Sequence, residues 1–135
     1  MTARFGCDVQ TAEDSTCLRL EGELDLSSAP MLRTCLSGLI EAGARHVVVD
    51  VGALRFVDAS GIRAIAAEAR RLRQAGGEMV LRNPRPWTRR LFGLLGAAEL
   101  VTIEQSDDVD DDAPVIDLRP ARGKFRPGES QSVAW

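Results

Sequence analysis

Apolar residues recur along this chain with two periods that alternate, one of two residues and one of about three and a half. Residues 15–21, STCLRLE, set Leu18 and Leu20 on one side and Cys17 and Arg19 on the other, the pattern of a strand with one covered face. An earlier short strand fits residues 3–10, with Ala12 to Ser15 as the polar turn between the two. In GELDLSSAP, Gly22 and the acids are expected to break the strand, Ser27 or Ser28 can cap a helix, and Pro30 suits a first turn. Ala29, Leu32, Leu36, Leu39 and Ile40 then share one helical face, which Gly43 ends. His46 to Val51, HVVVDV, is β-branched and dense enough for a strand buried on both faces.

The helical spacing returns at Ile62, Ile65, Ala66, Ala69 and Leu72, and Gly76-Gly77 closes it. A short strand over residues 78–82, a turn at Asn83-Pro84-Arg85-Pro86, a third helix from Trp87 to Leu95 and a last strand over residues 99–104 complete the pattern. The order β-β-α-β-α-β-α-β predicts parallel pairing through right-handed crossovers, made mixed by the opening β-β pair. The expected fold is a single α/β domain over residues 1–105, a mixed β-sheet packed with helices. Residues 106–135 begin with an aspartate run (Asp107, Asp108, Asp110, Asp111, Asp112) and go on through Pro114, Pro120 and Pro127. Their few apolar residues cannot offset ordering entropy, so an acidic, flexible tail is expected. No calcium-loop glycine accompanies the aspartates, and no metal site is expected there.

Charge narrows the function classes. Residues 1–105 hold 13 Arg against 13 Asp or Glu, and the tail carries the whole net charge of -3. A neutral body argues against direct nucleic-acid binding, which needs a basic face. No run reaches the roughly 18 apolar residues of a membrane span. MTARFGCDVQ lacks the charged and apolar blocks of a secretory signal, which makes the cytoplasm the expected location. Cys7, Cys17 and Cys35 form no CxxC pair, and His46 is the one histidine, so neither a disulfide framework nor a metal or cofactor site is expected.

One hydroxyl stands out. In RFVDASGIRAI, Ser60 lies between an acid and a glycine where an apolar run gives way to a helical pattern. Its simplest role is an N-cap. The same junction also suits a phosphate, because Gly61 lets backbone approach closely and helix amides favour an anion. Phosphorylation would add about -1.5 to -2 charges beside Asp58. A catalytic serine is disfavoured: DASGI is not GxSxG, and His46 begins a strand whose other end leads to Ser60. Neither a GxxxxGK[ST] nor a GxGxxG loop is present. A receiver-type phospho-Asp domain built on Asp50 is disfavoured too, since the chain opens β-β and has no lysine before Lys124.

LEGELDLSSAP, HVVVDVGALRFVDASGIRAI and GGEMVLRNPRPWTRRLFGLLG together resemble the STAS domain family, within it the bacterial anti-sigma factor antagonists, over about residues 15–104. The resemblance implies a non-catalytic partner switch. The unphosphorylated antagonist binds an anti-sigma factor, usually a serine kinase, and so frees a sigma factor; the kinase phosphorylates the antagonist and a serine phosphatase resets it. Ser60 matches the phosphoacceptor and Asp58 the acid that opens the motif. Asp25 matches the acid of the GELD block near the docking surface, and Gly61 and Ile62 would complete the local contact. Ala59 stands where relatives often have another serine, and the tail stands where many have another helix. The alternative is a STAS-type module that senses a small ligand or scaffolds a complex without a sigma-factor link.

Overall fold

The computed structural model describes residues 5–105 and 131–133. The chain forms β1 (Phe5–Thr11), β2 (Thr16–Leu24), α1 (Ala29–Glu41), β3 (His46–Val57), α2 (Ala59–Gln74), β4 (Glu78–Arg82), α3 (Pro86–Leu94), a 3-10 turn (Ala98–Leu100), β5 (Thr102–Glu104) and β6 (Gln131–Val133). The sheet order is β5-β4-β3-β2-β1-β6. β2 through β5 pair in parallel, while β1 is antiparallel to both its neighbours. The expected β-β-α-β-α-β-α-β order and mixed sheet are present. β6 is an addition that the sequence pattern did not disclose. It fills the open edge of β1, where unpaired backbone groups accept a further strand. The remaining residues of the expected flexible tail, 106–130 and 134–135, lie outside the described residues.

Register explains why one sheet face is apolar. Cys7 opposes Leu20, and Leu18, Val49 and Leu81 form one cross-strand row, as do Thr16, Val47 and Met79. This face and the buried sides of the helices form one core cluster. Ile62, Ile65 and Leu72 of α2 are fully buried there, each contributing about 1.5–3 kcal/mol. On the other face, Asp8, Arg19, Asp50, Arg82 and Glu104 occupy one row across five strands, negative and positive in turn. Arg82 Nε meets Glu104 Oε1 at 2.8 Å. Burial holds the Asp50 carboxyl above its ordinary range, against the Gly52 amide and the two arginines. Burial and the Asp50 charge push the Cys17 thiol up to about 11.

Two strands run further than their sequence pattern indicates. Gly22 does not end β2: with φ 95° it sits at a bulge, and pairing with β3 resumes through Leu24↔Val57. β3 runs six residues past Val51, because β2 remains beside it as a partner. The two strands therefore finish side by side, and the turns that follow them are neighbours. The Asp58 amide donates to the Leu24 carbonyl at 3.2 Å. A Cβ on Gly61 would lie 2.5 Å from Leu24 Cγ and 3.1 Å from the Leu24 carbonyl oxygen, so the α2 junction closes on β2 only because residue 61 has no side chain.

The helices are tied together by a buried acid. Glu68, 1% exposed, receives Arg33 Nε of α1 at 3.1 Å and Arg71 Nη1 of its own helix at 3.0 Å. Ser37 Oγ reaches it at 3.4 Å and also accepts from Arg71. Both arginines keep substantial exposure, so removal of Glu68 leaves them able to rehydrate, whereas removal of both arginines strands a buried charge.

Two stability predictions follow from these contacts. Gly61→Ala overpacks the Leu24 contact and should cost about 1–3 kcal/mol in urea unfolding; a loss under half a kilocalorie would show that Leu24 has room to yield. The double change Arg33→Ala/Arg71→Ala should cost about 3–5 kcal/mol, while Glu68→Met stays within about 1 kcal/mol of wild type. The reverse order would mean that the ion pairs themselves carry the helix contact.

Candidate functional site

The ends of β2 and β3 bring together the two segments that sequence reasoning singled out separately. Residues 25–28 make a tight turn before α1. Asp25 Oδ1 accepts from the Ser27 amide at 3.0 Å, the Ser27 hydroxyl at 2.8 Å and the Ser28 amide at 3.2 Å. The Ser27 hydroxyl is the leading cause that holds the Asp25 carboxyl below its ordinary range, with the two amides adding to it. Ser28 precedes α1 but does not cap it through its side chain. Its hydroxyl turns back, donating to the Glu23 carbonyl at 2.8 Å and accepting from the Asp25 amide at 2.9 Å. Asp25 is thus committed to shaping a turn, and its backbone carbonyl takes the Ala29 amide at 2.8 Å.

At the second segment the expected cap is corrected. Asp58, not Ser60, is the N-cap of α2: its backbone is extended and its Oδ1 accepts from the Ser60 amide at 2.9 Å and the Gly61 amide at 3.3 Å. A carboxylate opposite the positive end of a helix is favoured by both hydrogen bonds and dipole. Ser60 becomes the second residue of α2, half-buried, and its hydroxyl makes no hydrogen bond among the described residues. The cap is therefore supplied by a neighbour, and the Ser60 oxygen is left available for other chemistry.

Gly61 and Ile62 do not form surface. Gly61 is buried against Leu24, and Ile62 is 0% exposed in the core. They support the site from beneath, because on a helix that starts at Ala59 the position of Ile62 faces the sheet. Sequence reasoning missed the apolar side chains that do face outward here, Leu26 at 75% exposure and Phe56 at 46%. Leu26 was legible, since it interrupts a polar turn; Phe56 was not, because β3 departs from alternation and leaves Arg55 and Phe56 both exposed between Leu54 and Val57. Large exposed apolar side chains beside a polar rim are typical of a docking surface.

His46 stands at the opposite end of β3, eleven residues before Val57, or about 35 Å away. It faces Glu78 at 3.8 Å. The one imidazole of the chain is therefore far from Ser60. No group of three or more His, Cys, Asp or Glu side chains among the described residues is arranged to hold a metal ion. No helix among the described residues is long and apolar enough to cross a membrane.

Comparison with known proteins agrees with this geometry. The family described as STAS domain matches residues 7–110. The anti-sigma F factor antagonist of Paenibacillus polymyxa is 30% identical over 91 residues, covering 67% of this chain and 78% of that protein. The anti-sigma-B factor antagonist of Bacillus subtilis is 29% identical over 103 residues, covering 75% and 92%. Among solved structures, the phosphorylated form of the Bacillus cell fate determinant SpoIIAA superposes with a TM-score of 0.61 at 25% identity, covering 76% of this chain and 93% of that one. With the family matched across nearly all of the α/β body, this chain belongs to the STAS domain family.

Proposed function

We infer that this chain is an anti-sigma factor antagonist working by partner switching, a regulator rather than a catalyst. In its unphosphorylated form it docks on an anti-sigma factor of the serine-kinase kind and so releases a sigma factor. Phosphate on Ser60 ends the association, and a serine phosphatase restores it. The cytoplasm is the compartment where such partners meet. The observation that carries this reading is the Ser60 hydroxyl, without a hydrogen bond on the first turn of α2. It belongs to a chain 30% and 29% identical to two named anti-sigma factor antagonists.

The local geometry gives the switch a mechanism. A phosphate at a helix N-terminus ordinarily settles on the open amides. Here the Ser60 and Gly61 amides already serve Asp58. A phosphate on Ser60 would have to displace that carboxylate or stand away from it, so its charge of about -1.5 to -2 is directed outward. Asp25, Asp58 and the exposed Leu26 and Phe56 form the surface on which a partner would rest. Burying a doubly charged group against apolar side chains without a paired cation is strongly opposed. The switch then acts on the docking surface and leaves the fold unchanged.

With ATP and the cognate kinase, wild-type protein should take up label and Ser60→Ala should not. Equal labelling of both would place the acceptor elsewhere. Ser60→Asp should weaken binding to the anti-sigma factor at least tenfold by calorimetry, about 1.4 kcal/mol, with its thermal midpoint close to that of wild type. An unchanged affinity would remove charge at Ser60 as the cause of release.

A further inference from the structure

The partner-switching site makes no use of the cysteines, yet two of them are in contact inside the core. Cys7 projects from β1 and Cys35 from α1, both buried, at 2% and 9% exposure. Cys7 donates to the Cys35 sulfur, with the two Sγ atoms 3.9 Å apart. Cys17 is not part of this pair: it occupies the other sheet face, in the register position next to Gln10 and Val48. Among three cysteines in a small domain, two therefore meet across the β1–α1 interface, 28 positions apart in sequence.

We propose that Cys7 and Cys35 form a redox-active dithiol that closes to an intramolecular disulfide under peroxide and opens again under thiol reductants. A disulfide needs a sulfur separation of about 2.05 Å, so the two sulfurs, 3.9 Å apart, have to close by about 1.9 Å. Cys35 is the more exposed of the two, and the hydrogen bond it receives from Cys7 lowers its pKa against the effect of burial. It is accordingly the sulfur that meets the oxidant. The Cys35 thiolate attacks one peroxide oxygen, the O–O bond breaks, and a sulfenic acid and hydroxide result. The Cys7 sulfur then attacks the Cys35 sulfur and displaces the sulfenic oxygen, which leaves as water. Overall the two thiols lose two electrons and two protons, and one hydrogen peroxide becomes two waters.

The bridge has a defined mechanical effect. It closes a loop that contains β2 and the Asp25 turn, and it fastens β1 to the helix that starts at that turn. Oxidation therefore stiffens the half of the domain that carries Asp25 and Leu26 without touching Ser60. The unfolded chain loses freedom by the same closure, so the oxidised protein should melt higher than the reduced protein.

The test uses the full chain, reduced and then exposed to hydrogen peroxide in native buffer. Thiols are counted afterwards in denaturant and the intact mass is measured. The expected result is a monomer that has lost two hydrogens, retains one of its three thiols, melts at a higher temperature and returns to the starting state with dithiothreitol. Cys17→Ser should still form the bridge and finish with no thiol, Cys35→Ala should keep both of its thiols, and Cys7→Ala should form no bridge and carry one added oxygen at Cys35. Three surviving thiols in wild type would overturn the proposal. So would a wild-type mass gain from added oxygen, a covalent dimer, or a bridge that Cys17→Ser abolishes.

Discussion

The contact between Leu24 and Gly61 is the constraint on which the site depends. Leu24 is the last residue of β2 and is fully buried, and Gly61 lies in the first turn of α2. Their approach leaves no room for even a methyl group. Because it is so close, the Asp58 amide reaches the Leu24 carbonyl, and the turn after β2 lies against the turn after β3. Two segments more than thirty residues apart in sequence thereby become one surface. Glycine serves here through its lack of a Cβ; the backbone at this position is ordinary helix.

On that foundation the polar groups divide their tasks. Asp25 and Ser28 are consumed in building a turn, and Asp58 in capping a helix. Each of these groups has its hydrogen-bonding needs met by neighbours within a few residues, which keeps the local geometry independent of any partner. Among the described residues of this surface the Ser60 hydroxyl is spared, with Leu26 and Phe56 exposed. The N-termini of α1 and α2 both enter this surface, and the Glu68 cluster holds the bodies of the same two helices at a fixed spacing. A group buried well away from the site thus contributes to its shape.

Periodicity made most of the fold legible. The apolar positions read as the faces of α1 and α2 are buried or packed on the core, and β4 falls on the residues expected for it. Misreadings arose where tertiary pairing overruled local pattern. Gly22 is a stop signal in an isolated strand, yet beside β3 it becomes a bulge that pairing can span. β3 outlasts its valine run because a neighbour strand remains available. Ser60 resembles a cap by residue type, but the helix starts at Ala59 and Asp58 caps it through the Ser60 and Gly61 amides. Ile62 was placed in the contact surface by analogy of motif, whereas the helical phase turns it into the core. Its hydrophobicity, weighed alone, already pointed inward.

Spare valence and neutral charge together explain why a small modification could have a large effect on such a surface. The α/β body carries equal numbers of positive and negative side chains up to residue 105, so its own net charge neither opposes nor masks one added group. A phosphate on Ser60 would then dominate its neighbourhood, with Asp58 already in possession of the helix amides that could otherwise neutralise it. Had Ser60 been the cap, phosphorylation would have broken a structural hydrogen bond and disturbed the helix. Because Asp58 is the cap, the side chain that holds the helix start is not the one a phosphate on Ser60 would modify. Such a phosphate would add charge to the surface without removing the cap.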